Sequence, residues 1–293
     1  MHSPKVWLIT GASSGFGKAL SEVVLRKGDI VVATLRRPSV LAHLSKQYPP
    51  SQLLLLTLDV TRPSDISAAF SRTQQVFGRL DVVFNNAGYA VFGEVEGTPD
   101  ADARALLEVV FWGAVGVSRA AVKFFREVNP PGQGGVILQN SSISGFSAAP
   151  GFAFYSAGKH AIEGFTESLS KELSPEWNIK ICILQPGAFY TNVIAAIQTF
   201  PVHPAYAECV TAAVRDTFEA ISFDGDPYKF GEMLYRLVTS ADNGKKIPLF
   251  LPVGEDALQI LQGRMRKMNK VLVDAAPWSA DLKKVFDKGE AKL

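Results

Sequence analysis

The stretch Gly11-Ala-Ser-Ser-Gly15-Phe-Gly17 decides the fold because of what stands on either side of it. The apolar run Val6–Thr10 before it predicts a buried strand, and the amphipathic stretch Phe16–Lys27 after it predicts a helix. Gly11 allows a tight turn, Gly15 lets the backbone approach a phosphate closely, and Gly17 permits close packing of helix against strand. Free N–H groups and the positive dipole at the helix start attract an anion. This unit predicts a site for the pyrophosphate of a dinucleotide.

Short apolar runs alternate with helical patterns along the rest of the chain. The expected strands are Val6–Thr10, Ile30–Leu35, Leu53–Leu58, Val82–Asn85, Gly135–Asn140, Lys180–Leu184 and Pro248–Leu251. The expected helices include Phe16–Lys27, Ser64–Phe77, Ala101–Val128, Tyr155–Leu173 and Glu255–Val273. Strand–helix alternation gives a parallel sheet with helices on both faces. The prediction is an α/β protein: one Rossmann-like, doubly wound domain over residues 1–293 with a seven-stranded parallel sheet.

The least regular stretch, Gly187 to Gly231, interrupts this alternation before the last strand. Ligands of open parallel sheets bind at the carboxyl ends of the strands. A segment that leaves the sixth strand crosses that edge, so residues 187–231 are predicted to form a substrate lid. A helix and a polar tail, over about residues 255–293, complete the chain.

Composition favours a protein of the cytoplasm. The net charge of +2 gives no reason to expect a nucleic-acid partner, and the basic stretch Arg264–Lys270 is predicted to be a solvated helix face. Only Cys182 and Cys209 are present, so no structural disulfide is expected, which fits a reducing compartment. The first strand begins at Val6, which leaves no room for a signal peptide.

Neither a transmembrane helix nor a metal site is expected. No uninterrupted apolar run approaches the roughly 20 residues that a transmembrane helix needs. The four histidines, at positions 2, 43, 160 and 203, do not have the spacing of metal ligands.

The end of the second strand indicates which dinucleotide is bound. A carboxylate about 20 residues past the glycines holds the ribose 2′-OH of NAD, whereas an arginine there suits the 2′-phosphate of NADP. Here the strand ends in Arg36-Arg37 and carries no carboxylate. Two guanidinium groups offer charge-assisted hydrogen bonds to a phosphate. The alternative is a solvated basic turn.

Tyr155 and Lys159 are four residues apart and therefore share one face of a helix. A tyrosine with a pKa near 10 is a poor proton carrier at neutral pH. A neighbouring ammonium and a positive nicotinamide ring lower that pKa. Ser142 follows the strand Gly135–Asn140, and its hydroxyl suits a substrate oxygen. Its neighbour Ser141 would point elsewhere on an extended backbone.

These motifs together resemble the classical short-chain dehydrogenase/reductase family. They are Thr10-Gly11-x-x-x-Gly15-x-Gly17, Asp59-Val60, Asn85-Asn86-Ala87-Gly88, Ser142, Tyr155-x-x-x-Lys159 and Pro186-Gly187, in the family's order and spacing. They cover roughly the first 190 residues, and the region beyond Thr191 matches only loosely. The pattern looks most like the hydroxysteroid or retinol dehydrogenase branch and the fungal-type ketoreductases.

The resemblance implies an NADP(H)-dependent oxidoreductase that interconverts a lipophilic ketone or aldehyde and its alcohol. Tyr155 would be the acid and base, Ser142 would polarise the substrate oxygen, and Lys159 would hold the nicotinamide ribose. The implied cofactor contacts are Gly11, Ser13, Ser14, Gly15, Phe16, Gly17, Arg36, Arg37, Asp59, Val60, Asn86, Ala87, Gly88, Tyr155, Lys159, Pro186, Gly187, Phe189 and Thr191. The implied substrate contacts are Ser142, Phe146, Phe152, Tyr155, Tyr190 and Val193.

One position departs from the family. Relatives commonly carry an asparagine that anchors a water between the lysine and solvent, and here Val110 takes its place in Glu108–Gly113. Valine cannot hydrogen-bond, so three interpretations stay open. Water reaches Lys159 by another route, or the reaction needs less proton exchange, or the chain binds NADP(H) with weak or altered catalysis.

Relatives also form dimers or tetramers through two long helices, which implies a homodimer or homotetramer here. The matching helices are Ala101–Val128 and Tyr155–Leu173. Their apolar residues include Val115, Val117, Ala121, Phe124, Phe125, Ile162, Phe165 and Leu169.

Overall fold

A computed structural model of the protein describes residues 3–191, 197–220, 223–280 and 282, with residues 216–220 described by backbone alone. Its strands are β1 (Val6–Thr10), β2 (Ile30–Leu35), β3 (Leu53–Thr57), β4 (Val82–Asn85), β5 (Val91–Phe92), β6 (Gly135–Asn140), β7 (Ile179–Pro186), β8 (Gln198–Thr199) and β9 (Phe250–Val253). Its α-helices are α1 (Gly15–Arg26), α2 (Pro63–Phe77), α3 (Asp100–Leu107), α4 (Ala114–Glu127), α5 (Ala153–Glu172), α6 (Val210–Ala220), α7 (Pro227–Ala241) and α8 (Glu255–Ala275).

Seven strands form one parallel sheet in the order β3-β2-β1-β4-β6-β7-β9. The order reverses beside β1, so the crevice between β1 and β4 is the switch point at which open parallel sheets bind ligands. The predicted α/β, doubly wound fold with a seven-stranded sheet is confirmed. The last strand lies at Phe250–Val253 rather than Pro248–Leu251.

Alternation along β1 divides the core into two layers. Trp7 and Ile9 face one side, where they pack with α1 and α7, and Leu8 faces the other side with α2 and α4. Both faces of the sheet are therefore covered, which is why its strands read as almost continuous apolar runs.

The helix expected over Ala101–Val128 has three parts. Between α3 and α4 the chain makes a π-helical turn, Glu108–Gly113. The whole stretch Asp100–Glu127 is long and apolar enough to cross a membrane by length and composition, yet half of its most apolar window is buried inside the fold. Helices that pack in a protein core pass the same test, and we assign this stretch to the core.

The expected lid is only partly irregular. Its residues Gln198–Thr199 form β8, which pairs with β5 in a separate two-stranded sheet, and Val210–Ala220 form α6. From Pro227 the chain enters α7, which packs against α1 and buries Phe230. The prediction that the irregular lid extends to Gly231 is therefore wrong for its last residues, because they belong to a core helix.

Candidate active site

The glycine turn lies where β1 ends and α1 begins. Gly11 and Gly15 have φ angles of 66° and 51°, in the left-handed region that favours glycine. A Cβ on Gly11 would lie 2.9 Å from the Cα of Ala87, so the turn packs directly on the segment after β4. Gly15 also comes close to Thr191, because a Cβ there would lie 3.4 Å from the Thr191 Cβ.

A chain of hydrogen bonds connects this turn to Lys159. The hydroxyl of Thr10 accepts from the backbone N–H of Asn86 at 2.8 Å and of Ala87 at 3.0 Å. The Asn140 amide donates to Asn86 Oδ1 at 3.0 Å, and Lys159 Nζ donates to the Asn140 carbonyl at 2.9 Å. The ends of β1, β4 and β6 thereby hold the lysine in place.

Tyr155, Ser142 and Lys159 come together at the carboxyl end of β6. The Ser142 hydroxyl hydrogen-bonds the Tyr155 phenol, and Lys159 Nζ lies 5.6 Å from the centroid of the Tyr155 ring. Ser142 is held by the turn that follows it, since its hydroxyl accepts from the Ser144 N–H at 3.1 Å. The phenol, the hydroxyl and the amine therefore form one constellation, as the spacing predicted.

Burial shapes the acid–base chemistry of this constellation. It raises the pKa of Tyr155 above its ordinary value, and the hydrogen bond from Ser142 opposes that rise. Burial also lowers the pKa of Lys159 to about 8, while the charge of Glu163 acts in the opposite direction. Among the protein's own groups, Lys159 alone does not lower the pKa of Tyr155 to near neutral pH. A positive ring bound beside the phenol would be needed to favour the phenolate.

A buried carboxylate lies behind the constellation. Glu163 Oε1 accepts from the Ser141 hydroxyl at 2.6 Å, and its Oε2 accepts from the Gln185 amide at 2.9 Å. Burial raises the pKa of Glu163, although these two hydrogen bonds and nearby positive charge oppose it. Ser141 thus points away from Tyr155, and Glu163 ties the ends of β6 and β7 to α5.

Val110 lies in the π-helical turn that faces Tyr155. It is 2% exposed and packs with Leu106 and Val91, and Tyr155 and Phe154 contact the same cluster. Single π turns inside α-helices are frequent at functional sites. The position where relatives carry a relay asparagine is therefore apolar and closed here.

The predicted cofactor residues near the adenosine end lie along the same edge of the sheet. Arg36 and Arg37 are exposed directly after β2, and neither side chain makes a hydrogen bond or ion pair within the described part of the chain. Asp59 follows β3; burial raises its pKa, but hydrogen bonds from Thr61 and the charges of Arg62 and Arg36 outweigh that effect and lower it. Val60 is buried against Gly113.

Pro186 and Gly187 end β7 at this edge. The Gly187 N–H donates to the Val253 carbonyl at 2.9 Å, and the Ala188 N–H donates to Asp256 at 2.7 Å. Asp256 in the first turn of α8 therefore fixes the course of the chain towards Thr191.

The rings of Phe16 and Phe189 pack in the core. Their centroids lie 5.1 Å apart, and the Phe16 ring stacks on Phe230 at 4.1 Å. Phe189 is one of the implied cofactor contacts, and its ring is turned towards Phe230 of α7, at 5.3 Å between centroids. The reason is the helix beginning at Pro227, which supplies an aromatic partner that the sequence pattern did not indicate.

The predicted substrate residues are only partly assembled. The centroid of the Phe152 ring lies 6.4 Å from that of Tyr155 and 5.0 Å from that of Phe92. Phe146, six residues earlier in the chain, is half-buried. Tyr190 is mostly exposed to solvent. Val193 lies outside the described residues.

Sequence reasoning missed Asn140, Glu163, Gln185 and Asp256 as residues that shape the site. For Asp256 a signal was available, because an acidic residue in the first turn of a helix is a common partner for free backbone N–H groups. For Asn140 and Glu163 the partners are 54 and 22 residues away, so only the fold reveals them.

Residues 5–201, more than half of the chain, match the family described as short chain dehydrogenase. The chain belongs to this family. The protein is 35% identical over 277 residues to the oxidoreductase calM of Penicillium decumbens. This alignment covers 91% of the chain and 89% of calM. The protein is 36% identical over 189 residues to a 3-ketodihydrosphingosine reductase of Bacteroides thetaiotaomicron, 64% of the chain and 65% of that protein.

A solved short-chain dehydrogenase from Streptomyces avermitilis shares the fold closely. Its identity is 34%, its TM-score is 0.85, and the match covers 96% of this chain and 99% of that one. Structures that share the fold at 21–24% identity include complexes with NADH, with NADP and with NAD. The family match and the similarity to calM make the protein an oxidoreductase of the short-chain dehydrogenase family.

Proposed function

We propose that this short-chain dehydrogenase uses NADP(H) to interconvert a lipophilic ketone or aldehyde and its alcohol. The observation that carries the proposal is the meeting of Ser142, Tyr155 and Lys159 at the switch-point edge of the sheet. A hydroxyl, a phenol and an amine in this arrangement can hold a carbonyl oxygen and deliver a proton to it.

The residues present fit a bound dinucleotide. The positive φ angles at Gly11 and Gly15 leave backbone N–H groups at the start of α1 open to a pyrophosphate. When bound, the nicotinamide supplies or accepts the hydride. Lys159, fixed by the Asn140 carbonyl, stands beside Tyr155 and is placed to hold ribose hydroxyls.

The protein's part in the chemistry is to hold the substrate and move a proton. In the reductive direction Ser142 donates a hydrogen bond to the carbonyl oxygen and polarises it. Tyr155 Oη gives its proton to the oxygen as negative charge develops there. In the oxidative direction Tyr155 takes the proton back. Burial makes Tyr155 a weaker acid, so the positive charge of Lys159 and of the oxidised cofactor is required to stabilise the phenolate.

Arg36 and Arg37 support NADP(H) over NAD(H). They are exposed after β2, no carboxylate stands in the same place, and a 2′-phosphate would find two guanidinium groups there. Exchanging each arginine for alanine should lower kcat/KM for NADPH at least tenfold and leave that for NADH nearly unchanged. Arg104→Ala, at an exposed position on α3, is the matched control. Equal losses with both cofactors would contradict the assignment.

The apolar surroundings of the site support a lipophilic substrate. Phe152 and Phe154 stand beside Tyr155, and Phe200 packs on the cluster around Val110. Binding sites of this kind are mostly apolar with a few polar anchors. A relative that reduces a 3-keto sphingoid base, as its name states, agrees with this class of substrate.

A second candidate function rests on Val110. Because its side chain is buried and apolar, the proton path that relatives use beside the lysine is closed here. The chain would then be an NADP(H)-binding protein with weak or altered catalysis.

The test is oxidation of NADPH by the purified protein with a panel of lipophilic ketones and aldehydes. We expect turnover, and we expect Tyr155→Phe to lower kcat by about 10²–10⁴-fold with NADPH affinity retained. Tyr228→Phe, which removes an exposed phenol on α7, serves as control. Binding of NADPH without turnover would favour the second candidate, and absence of binding would contradict both.

A further inference from the structure

Within the residues that the structure describes, the last helix, α8, has almost no partner. Of the 21 residues in α8 only Ala257 is buried, and every residue from Arg264 to Asp274 is exposed. Its first turn is fixed to the body, since Asp256 accepts from the Ala188 N–H at 2.7 Å. Beyond Gly263 the helix extends into solvent.

One face of this helix is apolar. Leu258, Leu261, Met265, Met268 and Leu272 follow one another at spacings of three and four residues, which places them on a single stripe. Met265 is 58% exposed and Leu272 is 69% exposed. Apolar side chains scattered singly over a surface need no explanation, but a continuous stripe indicates an interaction site.

The opposite face is basic. Arg266, Lys267 and Lys270 lie two residues from members of the apolar stripe and therefore on the far side of the helix. Between Leu258 and Val273 the helix carries four basic residues and no acidic one. Lys270 pairs with Asp274 at 3.3 Å, but both side chains are exposed and such a pair is weak.

The segment after the helix adds an aromatic side chain. Trp278 follows α8 in a short helical turn and is 85% exposed. Tryptophan prefers the boundary between water and lipid, because its ring is apolar and its N–H is polar.

We propose that α8 docks the enzyme on an anionic lipid surface, with its apolar stripe in the acyl boundary and its basic face towards the headgroups. An exposed apolar stripe opposite clustered lysine and arginine is the pattern of helices that lie in a membrane interface. The four basic residues of α8 complement an anionic lipid surface, whereas a second α8 offers no acidic residue between Leu258 and Val273 to pair with them.

Docking through α8 would place a particular edge of the molecule near the lipid. The helix follows β9 directly and packs on the short turn Ile143–Gly145, which comes after Ser142. The carboxyl edge of the sheet therefore lies near the base of α8. The inference about α8 depends on its own surface and stands apart from the proposed reaction.

The experiment is co-sedimentation of the full-length protein with vesicles. We expect binding to phosphatidylcholine vesicles that contain phosphatidylserine, at least tenfold stronger than to phosphatidylcholine alone, and weakened by salt. Met265→Ser with Leu272→Ser replaces two of the five apolar side chains of the stripe, and Arg266→Gln with Lys270→Gln removes two charges; both variants should bind the phosphatidylserine vesicles more weakly. Each charge near an anionic surface changes partitioning by about fivefold, so the charge pair should weaken binding at least tenfold.

The matched control is Lys123→Gln with Lys171→Gln, which removes two exposed charges from α4 and α5. It should bind as the parent protein does, and a loss equal to that of the α8 charge variant would overturn the proposal. Equal binding to both kinds of vesicle would overturn it as well. The proposal is also overturned if the parent protein does not bind vesicles and an α8 variant converts an oligomer into a monomer. A second copy would then cover the stripe.

An optical measurement reports on the same contact. Phosphatidylserine-containing vesicles should shift tryptophan emission to shorter wavelength, and Trp278→Phe should remove most of that shift. A shift that persists in Trp278→Phe would contradict the docking of this end of the molecule.

Discussion

The burial of Lys159 opposes the positive charge of its side chain. Burial lowers its pKa to about 8, from 10.5 for the free side chain. Below pH 8 the folded and unfolded chains both bind the proton, and between about pH 8 and 10.5 only the unfolded chain does. The stability of the folded state therefore rises with pH across this window, as far as Lys159 contributes.

Lys159→Met should remove that rise. Between about pH 7 and pH 10 the parent protein should gain about 2 to 3 kcal/mol in the free energy of unfolding relative to the variant. Urea unfolding without cofactor measures this difference. Lys171→Met, at an exposed position, should follow the parent at every pH. Parallel pH curves for Lys159→Met and the parent would show that the lysine is not desolvated.

Sequence spacing was sufficient to find Ser142, Tyr155 and Lys159, because they lie at fixed distances on one strand end and one helix. Alternation also predicted that Ser141 points elsewhere, and the structure gives its partner as Glu163. Local sequence could not predict the bridge from Asn86 through Asn140 to Lys159. That bridge exists because β4 and β6 are neighbours in the sheet, which is a property of the fold.

At the level of elements, the π-helical turn Glu108–Gly113 gives Val110 its place beside Tyr155. Val110→Asn would bury an amide among apolar side chains and should cost about 1–3 kcal/mol of stability. Val110 packs in the apolar cluster around Leu106 and is not among the implied cofactor contacts. We therefore expect the Kd for NADPH to stay within threefold of the parent value. Thermal unfolding and cofactor titration measure the two effects, with Val110→Ala as control. Loss of NADPH binding in Val110→Asn alone would contradict this placement.

The helix α6 is fastened to the loop after β5 by a buried ion pair. The Glu94 side chain is fully buried and accepts from Arg215 at 3.3 Å, and Arg215 also donates to the Phe200 carbonyl at 3.0 Å. Burial raises the pKa of Glu94, but hydrogen bonds from its own loop, from His203 and from Arg215 outweigh it and lower the pKa. This pair connects the segment between β7 and α7 to the region beside Tyr155.

Arg215→Met should release α6, because it leaves a buried carboxylate without its partner. We expect chymotrypsin to cleave within residues 197–220 several-fold faster than in the parent protein. Glu94→Gln combined with Arg215→Met should restore part of the resistance, since no buried charge remains. Arg104→Met, which breaks an exposed pair with Asp100, is the control. Identical cleavage of parent and Arg215→Met would show that the pair does not hold the segment.

Elements with a strong periodic pattern were predicted well, and those set by tertiary pairing were not. The seven strands of the main sheet were found, but β5 and β8 have two residues each and form only because they meet each other. The start of α7 carried a usable local signal, namely Pro227 in the first turn and Asp226 as N-cap, with the Asp226 carboxylate accepting from the Tyr228 N–H at 2.7 Å. Aromatic and proline-rich sequence around it concealed that signal.

At the scale of the whole molecule, the residues expected to drive oligomer formation turn out to serve the chain's own core. Val117, Phe124, Phe125 and Ile162 are buried inside the fold of the single chain. The homodimer or homotetramer therefore stays a prediction. The solvent-exposed surface of α5 has small residues, including Gly164, next to the half-buried ring of Phe165.

Gly164→Arg tests that surface. A Cβ on Gly164 meets nothing within 4 Å, so the folded chain should accept the arginine, whereas a second copy packed closely on α5 should not. Sedimentation velocity should show a dimer or tetramer for the parent and a monomer for the variant. Gly263→Arg, at a partly exposed position on α8, should leave the assembly unchanged. A monomeric parent protein at micromolar concentration would contradict the prediction.

The proposed reaction requires that a dinucleotide held by the turn Gly11–Gly17 reaches Ser142, Tyr155 and Lys159 across the carboxyl edge of the sheet. A crystal structure of the protein with NADP⁺ tests it most directly. We expect the 2′-phosphate to lie against Arg36 and Arg37, and the nicotinamide ring to lie beside the Tyr155 phenol. A dinucleotide bound elsewhere, or a ring remote from Tyr155, would contradict it.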